Sequence, residues 1–152
     1  MLKLLIPLAL CLGLNAQVVI TRTVTIEDFF KAVATVESNN NDEAVGDNGN
    51  SIGRYQIQKA YWKDAVDHDT TLKQGRVWKD VKDPKYAEQV MLAYFDKYAK
   101  EELKAKNWEH LARLHNGGPG VFKRSQDSKA YKATTVYWSK VEKLMPKTKE
   151  VK

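Results

Sequence analysis

The chain has 152 residues, 43% of them hydrophobic and 29% charged, and a formal net charge of +6. That length suits one domain with a core of its own, and the apolar content excludes a disordered chain. The basic surplus suits anionic partners such as bacterial wall or nucleic acid, and it serves plain solubility equally well.

Residues 1–16 read as a signal peptide: Met1-Leu2-Lys3 is a short basic start, Leu4 to Leu14 an apolar run and Asn15-Ala16 a small-residue exit, with cleavage expected after Ala16. The run is too short for a permanent bilayer span and contains Pro7, so no stable membrane insertion is expected and the destination is secreted or periplasmic. Leu10 directly before Cys11 disfavours lipid attachment there. Cys11 is the only cysteine, so the mature chain makes no disulfide. Basic residues are scattered rather than gathered in one run and no nucleic-acid motif is present, so nucleic acid is not an expected partner.

Residues 17–25 form an extended lead-in. Thr25 with Asp28 makes a capping box for a helix over 26–36, whose apolar residues Ile26, Phe29, Phe30, Val33 and Val36 recur at helical spacing. Glu37 falls on the same stripe, four residues after Val33, where apolar neighbours and the negative end of the helix both favour a protonated acid. The plainer alternative is a frayed last turn that leaves Glu37 in water. Ser38 to Asp42 is polar and stops the helix. Asn48-Gly49 then signals a two-residue hairpin with Asp47 at its mouth, solvated and ionised, although aspartate is common in turns for its own backbone bonds. The oxygen-bearing side chains here lack the alternation of a calcium loop.

Arg54 to Ile57 reads as the return strand, followed by a short helix over 59–66 with Tyr61, Trp62 and Ala65 facing inward. Residues 67–81 look irregular. His68 has no second histidine or cysteine at ligand spacing, and His110 and His115, five apart on a helix, point in different directions, so no metal site is expected. Asp83-Pro84 opens a helix to Lys104, whose stripe of Tyr86, Val90, Ala93, Tyr94 and Tyr98, with Met91 and Phe95 beside it, makes it the central core helix. A helix over 108–114 is ended by the glycines and proline of residues 115–120. The last helix runs from 132 to 144 with Val136, Tyr137, Val141 and Leu144 on one side, and 146–152 is a basic tail.

One sheltered and one wet carboxyl is the arrangement that glycoside hydrolysis needs: a general acid for the leaving oxygen, and a base or nucleophile on the other face of the sugar. Glu37 and Asp47 fit those roles by environment, with Asp42, Glu43 and Asp64 as rivals for the second. Tyr55, Tyr61 and Trp62 could supply flat apolar faces for sugar rings.

Glu37-Ser38, then Gly53-Arg54-Tyr55-Gln56-Ile57 with Tyr61-Trp62, and later Ala112-Arg113-Leu114-His115-Asn116-Gly117-Gly118-Pro119 with Tyr137-Trp138 and Val141, resemble the invertebrate-type lysozymes and their bacterial relatives in the lysozyme-like superfamily. The glutamate-serine pair and the glycine-x-x-glutamine turn are also similar to goose-type lysozymes and soluble lytic transglycosylases. The resemblance spans about residues 26–144.

It implies a mainly α (α+β) lysozyme-like fold, a small β-hairpin lobe beside a helical core, with the catalytic domain at 26–145. The implied substrate is peptidoglycan, cut at β-1,4 bonds between N-acetylmuramic acid and N-acetylglucosamine by a monomer that needs no cofactor. Glu37 would be the acid and Asp47 the second carboxylate, while Ser51, Tyr55, Gln56, Tyr61, His115, Asn116, Gly117 and Tyr137 would bind substrate. Two features depart from the family: the mature chain lacks the many cystines of the invertebrate enzymes, which points to a bacterial-type relative, and the loop between Glu37 and Gly53 is shorter, which loosens the Asp47 assignment. The rival readings are a lytic transglycosylase using Glu37 alone and a non-catalytic basic wall-binding module.

Overall fold

Thr25 opens the first helix, α1 (Ile26–Ser38), through the expected reciprocal cap: its hydroxyl accepts from the Asp28 amide at 3.3 Å while the Asp28 carboxylate accepts from the Thr25 amide at 3.1 Å. A computed structural model describes residues 23–147, so the leader, residues 17–22 of the lead-in and residues 148–152 of the tail lie outside the described residues. Phe29, Phe30, Ala32, Val33 and Ala34 bury the stripe of α1. Asn39, in the left-handed conformation at φ 55°, ends the helix.

A three-stranded antiparallel sheet follows, β1 (Val45–Gly46), β2 (Ser51–Ile52) and β3 (Ile57–Gln58), in that order across the sheet. Val45 faces Ile52, Ser51 faces Gln58 and Ile52 faces Ile57. Two expectations fail here. The first hairpin closes through four residues, 47–50, because Asp47 joins Asn48 at positive φ (48° and 54°) and the Asn50 amide bonds back to the Asp47 carbonyl. Arg54 to Ile57 is not a strand: residues 53–56 form a second turn, closed from the Gln56 amide to the Gly53 carbonyl, and β3 begins only at Ile57. Gly53 is required in it, since it stands at φ 75° and a Cβ there would lie 2.8 Å from the Val81 carbonyl oxygen.

The remaining helices are α2 (Lys59–His68), α3 (Pro84–Lys104), α4 (Trp108–Gly117) and α5 (Lys129–Leu144), with short 3-10 turns at Thr70–Lys73, Trp78–Lys82 and Val121–Lys123. Asp83 caps α3 by accepting from the Lys85 amide at 3.0 Å, and Pro84 takes the first position as expected. Met91 and Phe95 are fully buried while Tyr98 is 37% exposed. The buried face of α3 is therefore wider than the predicted stripe and shifted from it, because α2 and α4 both pack against this helix.

Helix α4 runs three residues past its predicted end, so His115, Asn116 and Gly117 are helical and Gly118, at φ 72°, makes the stop. Gly117 is tolerated because α4 is pressed against α5 at that point: a Cβ would lie 2.6 Å from Thr134 Cγ2 and 2.8 Å from Val121 Cγ2. Helix α5 starts earlier than predicted, from a Ser128 cap. Its buried side is Thr134, Tyr137 and Val141, at spacings of three and four. Val136 and Leu144, expected on that side, are 58% and 51% exposed: Val136 lies about 100° round the helix from Tyr137, whereas Leu144 falls close to the stripe but is the last residue of α5. The result is mainly α with a small sheet lobe, as the sequence implied. Among the described residues no helix is long and apolar enough to cross a membrane.

Candidate active site

Glu37 lies in the last turn of α1, and its side chain keeps 17% of its exposure. The next residue fixes the direction of the chain beyond it. Ser38 Oγ donates to the Arg54 carbonyl at 2.9 Å and accepts from the Asn41 amide at 3.0 Å, clipping the end of α1 to the turn at 53–56. Arg54 reinforces the clip with a two-pronged ion pair to Asp42. The glutamate-serine pair and the glycine-x-x-glutamine turn, distant in sequence, are thus one structural unit.

Opposite Glu37 stands His115 on α4, its side chain only 4% exposed. Its Nε2 lies 3.1 Å from the Tyr55 carbonyl oxygen and 3.5 Å from Glu37 Oε1, and its Nδ1 lies 3.4 Å from the Tyr61 hydroxyl. A carbonyl only accepts, so Nε2 carries the proton and presents it to the backbone and to the carboxylate together. Tyr61 is stacked on Tyr94 with centroids 3.6 Å apart and meets the His115 ring edge-on at 5.5 Å. Tyr137 on α5 packs beneath. Burial first, and then the Glu37 carboxyl beside it, hold its hydroxyl well above the ordinary tyrosine value. That hydroxyl is buried and makes no hydrogen bond of good geometry with a described residue.

A cleft of about 350 Å³ opens over these groups. Of the sequence-predicted residues, it brings together Glu37, Asp47, Ser51, Gln56, Tyr61, His115, Asn116 and Gly117. Asp47 is exposed, and its Oδ2 accepts from Ser51 Oγ at 2.6 Å, with Gln58 Nε2 at 3.5 Å. Gln56 folds back through its amide onto the Gly53 carbonyl at 2.8 Å. Gly46 leaves room for it, since a Cβ there would lie 2.2 Å from Gln56 Oε1.

Two predicted substrate contacts lie elsewhere. Tyr55 is 2% exposed, with its ring edge-on to Phe30 and its hydroxyl donating to Glu88 at 2.6 Å, so it offers the site only its carbonyl. Tyr137 supports the floor beneath Glu37 and does not line the cleft. Asp64, a rival for the second carboxylate, also lines it, and Gln58, Ala60, Tyr94, Gly118 and Pro119 line it unpredicted. Three of these residues left a signal in the sequence: Gln58 follows the turn that carries Gln56 by two residues, and Ala60 and Asp64 share a helix face at i, i+4.

The rival carboxylates are all paired with cations. Asp42 is held by Arg54, which lowers its pKa, Glu43 by Lys82, and Asp64 by Lys97 at 2.9 Å. Asp47 has no cationic partner among the described residues.

The family model named Destabilase matches residues 27–146, which contain every residue of this cleft. The chain belongs to the Destabilase family. That is the family of invertebrate-type lysozymes, so the lysozyme-like assignment stands and the chain is a lysozyme-like hydrolase by descent. No curated protein and no solved structure gives a match. In this Destabilase-family chain, helices and lobe converge on one carboxyl that is largely shielded and a second that is open to water.

Proposed function

We propose that the protein is a secreted muramidase that cleaves the β-1,4 bond between N-acetylmuramic acid and N-acetylglucosamine in peptidoglycan. The observation that carries this reading is the pairing of a shielded Glu37 with an exposed Asp47, free of any described cation, across one cleft. Glu37 gives its proton to the leaving glycosidic oxygen, held in place by His115 and by the packing of α1. Asp47 serves the opposite side of the sugar, as a carboxylate steadied by Ser51 and Gln58. Tyr61, Asn116 and the Gly117-Gly118-Pro119 edge supply the wall against which the strand lies.

The test is clearing of a wall suspension by the purified protein, with mass analysis of the products. Glu37→Gln is expected to lower turnover by roughly 10²- to 10⁴-fold without changing the fold. Products that have gained water identify a hydrolase, whereas anhydro ends would assign a transglycosylase needing Glu37 alone. Asp47→Asn with undiminished clearing would remove Asp47 from the mechanism.

A further inference from the structure

Trp62 was expected beside the cleft, yet it turns away from it. On α2, Ala60, Tyr61 and Asp64 line the cleft, while Lys59 and Trp62, one turn apart on another side of the helix, line a separate groove of about 360 Å³ with Val77, Trp78 and Lys79. Both indoles are fixed from behind. Trp62 Nε1 donates to the Tyr86 hydroxyl at 2.8 Å, which in turn donates to the Leu72 carbonyl, and Trp78 Nε1 donates to the Ile57 carbonyl at 3.0 Å. With their N–H edges occupied inside, the rings have only apolar surface to show the groove. Val77 at its rim is 57% exposed. Lys59 and Lys79 are exposed and pair with no carboxylate among the described residues, and no residue lining the groove is acidic.

The geometry points to a second glycan-binding shelf on this face, one that takes an acidic N-acetylated aminosugar strand such as the muramyl strand of the wall. This rests on the muramidase reading and extends it. Pinned indoles offer the flat, low-entropy surface on which the apolar face of a pyranose ring stacks, and two unpaired lysines meet the lactyl or stem-peptide carboxylates that such a strand carries. Because α2 separates shelf and cleft by about one helix diameter, roughly 10 Å, the wall can occupy both at once. Shelf contact then keeps the enzyme on its insoluble substrate between cuts, as a second point of attachment.

The experiment measures sedimentation of the protein with insoluble peptidoglycan, in a Glu37→Gln background so that nothing is cut. Two independent sets of shelf variants are compared, the pair Lys59→Glu with Lys79→Glu, and Val77→Asp. Residue 77 caps the following 3-10 turn, where an aspartate is well tolerated, so this second variant places a carboxylate in the groove without endangering the fold. Both sets are expected to weaken wall binding by roughly three- to tenfold at low salt, with the deficit of the lysine pair shrinking as salt is raised. Introduced into the otherwise unmodified chain, they should leave turnover on a short soluble muramyl oligosaccharide unchanged. If the unmodified chain clears walls and the shelf variants still bind like their parent, the shelf is refuted and the proposed function survives. Shelf-dependent binding by a chain that clears nothing would do the reverse. A dimer in solution that Val77→Asp dissociates would assign the groove to a second copy and overturn the proposal.

Discussion

His115 is where the backbone, an aromatic stack and the carboxyl of Glu37 meet, and a single N–H serves two acceptors. Removing the ring strands the Tyr55 carbonyl and frees Glu37 to rotate. His115→Ala is expected to cost about 1–3 kcal/mol of stability, read from thermal melts, and to lower turnover by at least roughly tenfold. Clearing at the parent rate by a folded His115→Ala would show that Glu37 is positioned without it. Gly46→Ala addresses the same geometry from the lobe. Its new methyl would occupy the place of the Gln56 amide, so activity should fall while helical circular dichroism stays constant. Tyr137→Phe makes the opposite case, because it deletes a buried hydroxyl that has no well-formed bond to lose. Its stability is expected within about 1 kcal/mol of the parent, and a larger loss would show that the Glu37 carboxyl beside that oxygen is a full hydrogen-bond partner. Side-chain direction is where sequence reading failed at this scale. Tyr55 sits in the glycine-x-x-glutamine turn and read as a cleft residue, but only its carbonyl reaches the site, which no spacing could report.

Two hydroxyl caps on α1 separate structural from functional cost at the scale of an element. Thr25 closes the N-terminal end and Ser38 ties the C-terminal end to the lobe. Thr25→Ala and Ser38→Ala should each cost about 1–2 kcal/mol, but only the second should impair clearing, because only it releases the turn that carries Gln56. Equal activity in the two variants would detach the clip from function. Element existence was legible wherever local chemistry was unambiguous: the Thr25–Asp28 box and Asp83-Pro84 located α1 and α3. Ends set by tertiary contact were not. His115-Asn116-Gly117 looks like a helix breaker, yet α4 continues through it because α5 presses where a glycine alone fits. The lobe was misread for a related reason: its strands are two residues long, too short for any alternation to show, and its second turn is clipped from outside by Ser38.

Taken whole, the molecule surrounds its centre with neutral phenols. Burial foremost holds Tyr55, Tyr61, Tyr94 and Tyr137 above the ordinary tyrosine value of 10.0. Below that value neither folded nor unfolded chain ionises them, so they give stability no pH slope. Above it the unfolded chain loses protons that the folded chain retains, and stability falls as pH rises. The melting temperature is therefore expected to drop steeply above about pH 10, and Tyr94→Phe should flatten the slope. A melting temperature that stays level to the end of the alkaline range would contradict the burial of these rings. The family was legible before the fold because its short motifs, scattered along the chain, meet at one place. The shelf of Trp62 and Trp78 was not, since it joins two tryptophans from segments that show no common pattern.

The two carboxyls ride on unequal supports. Glu37 belongs to a helix packed into the core, whereas Asp47 is carried by a lobe of minimal strands with left-handed residues at its tip. Warming is expected to loosen the second body first, widening the gap between Glu37 and Asp47 while the helices are still intact. Catalysis should accordingly be silenced several degrees before the cooperative melt, and recover on cooling, so that the thermal limit of the enzyme is set by its smallest part.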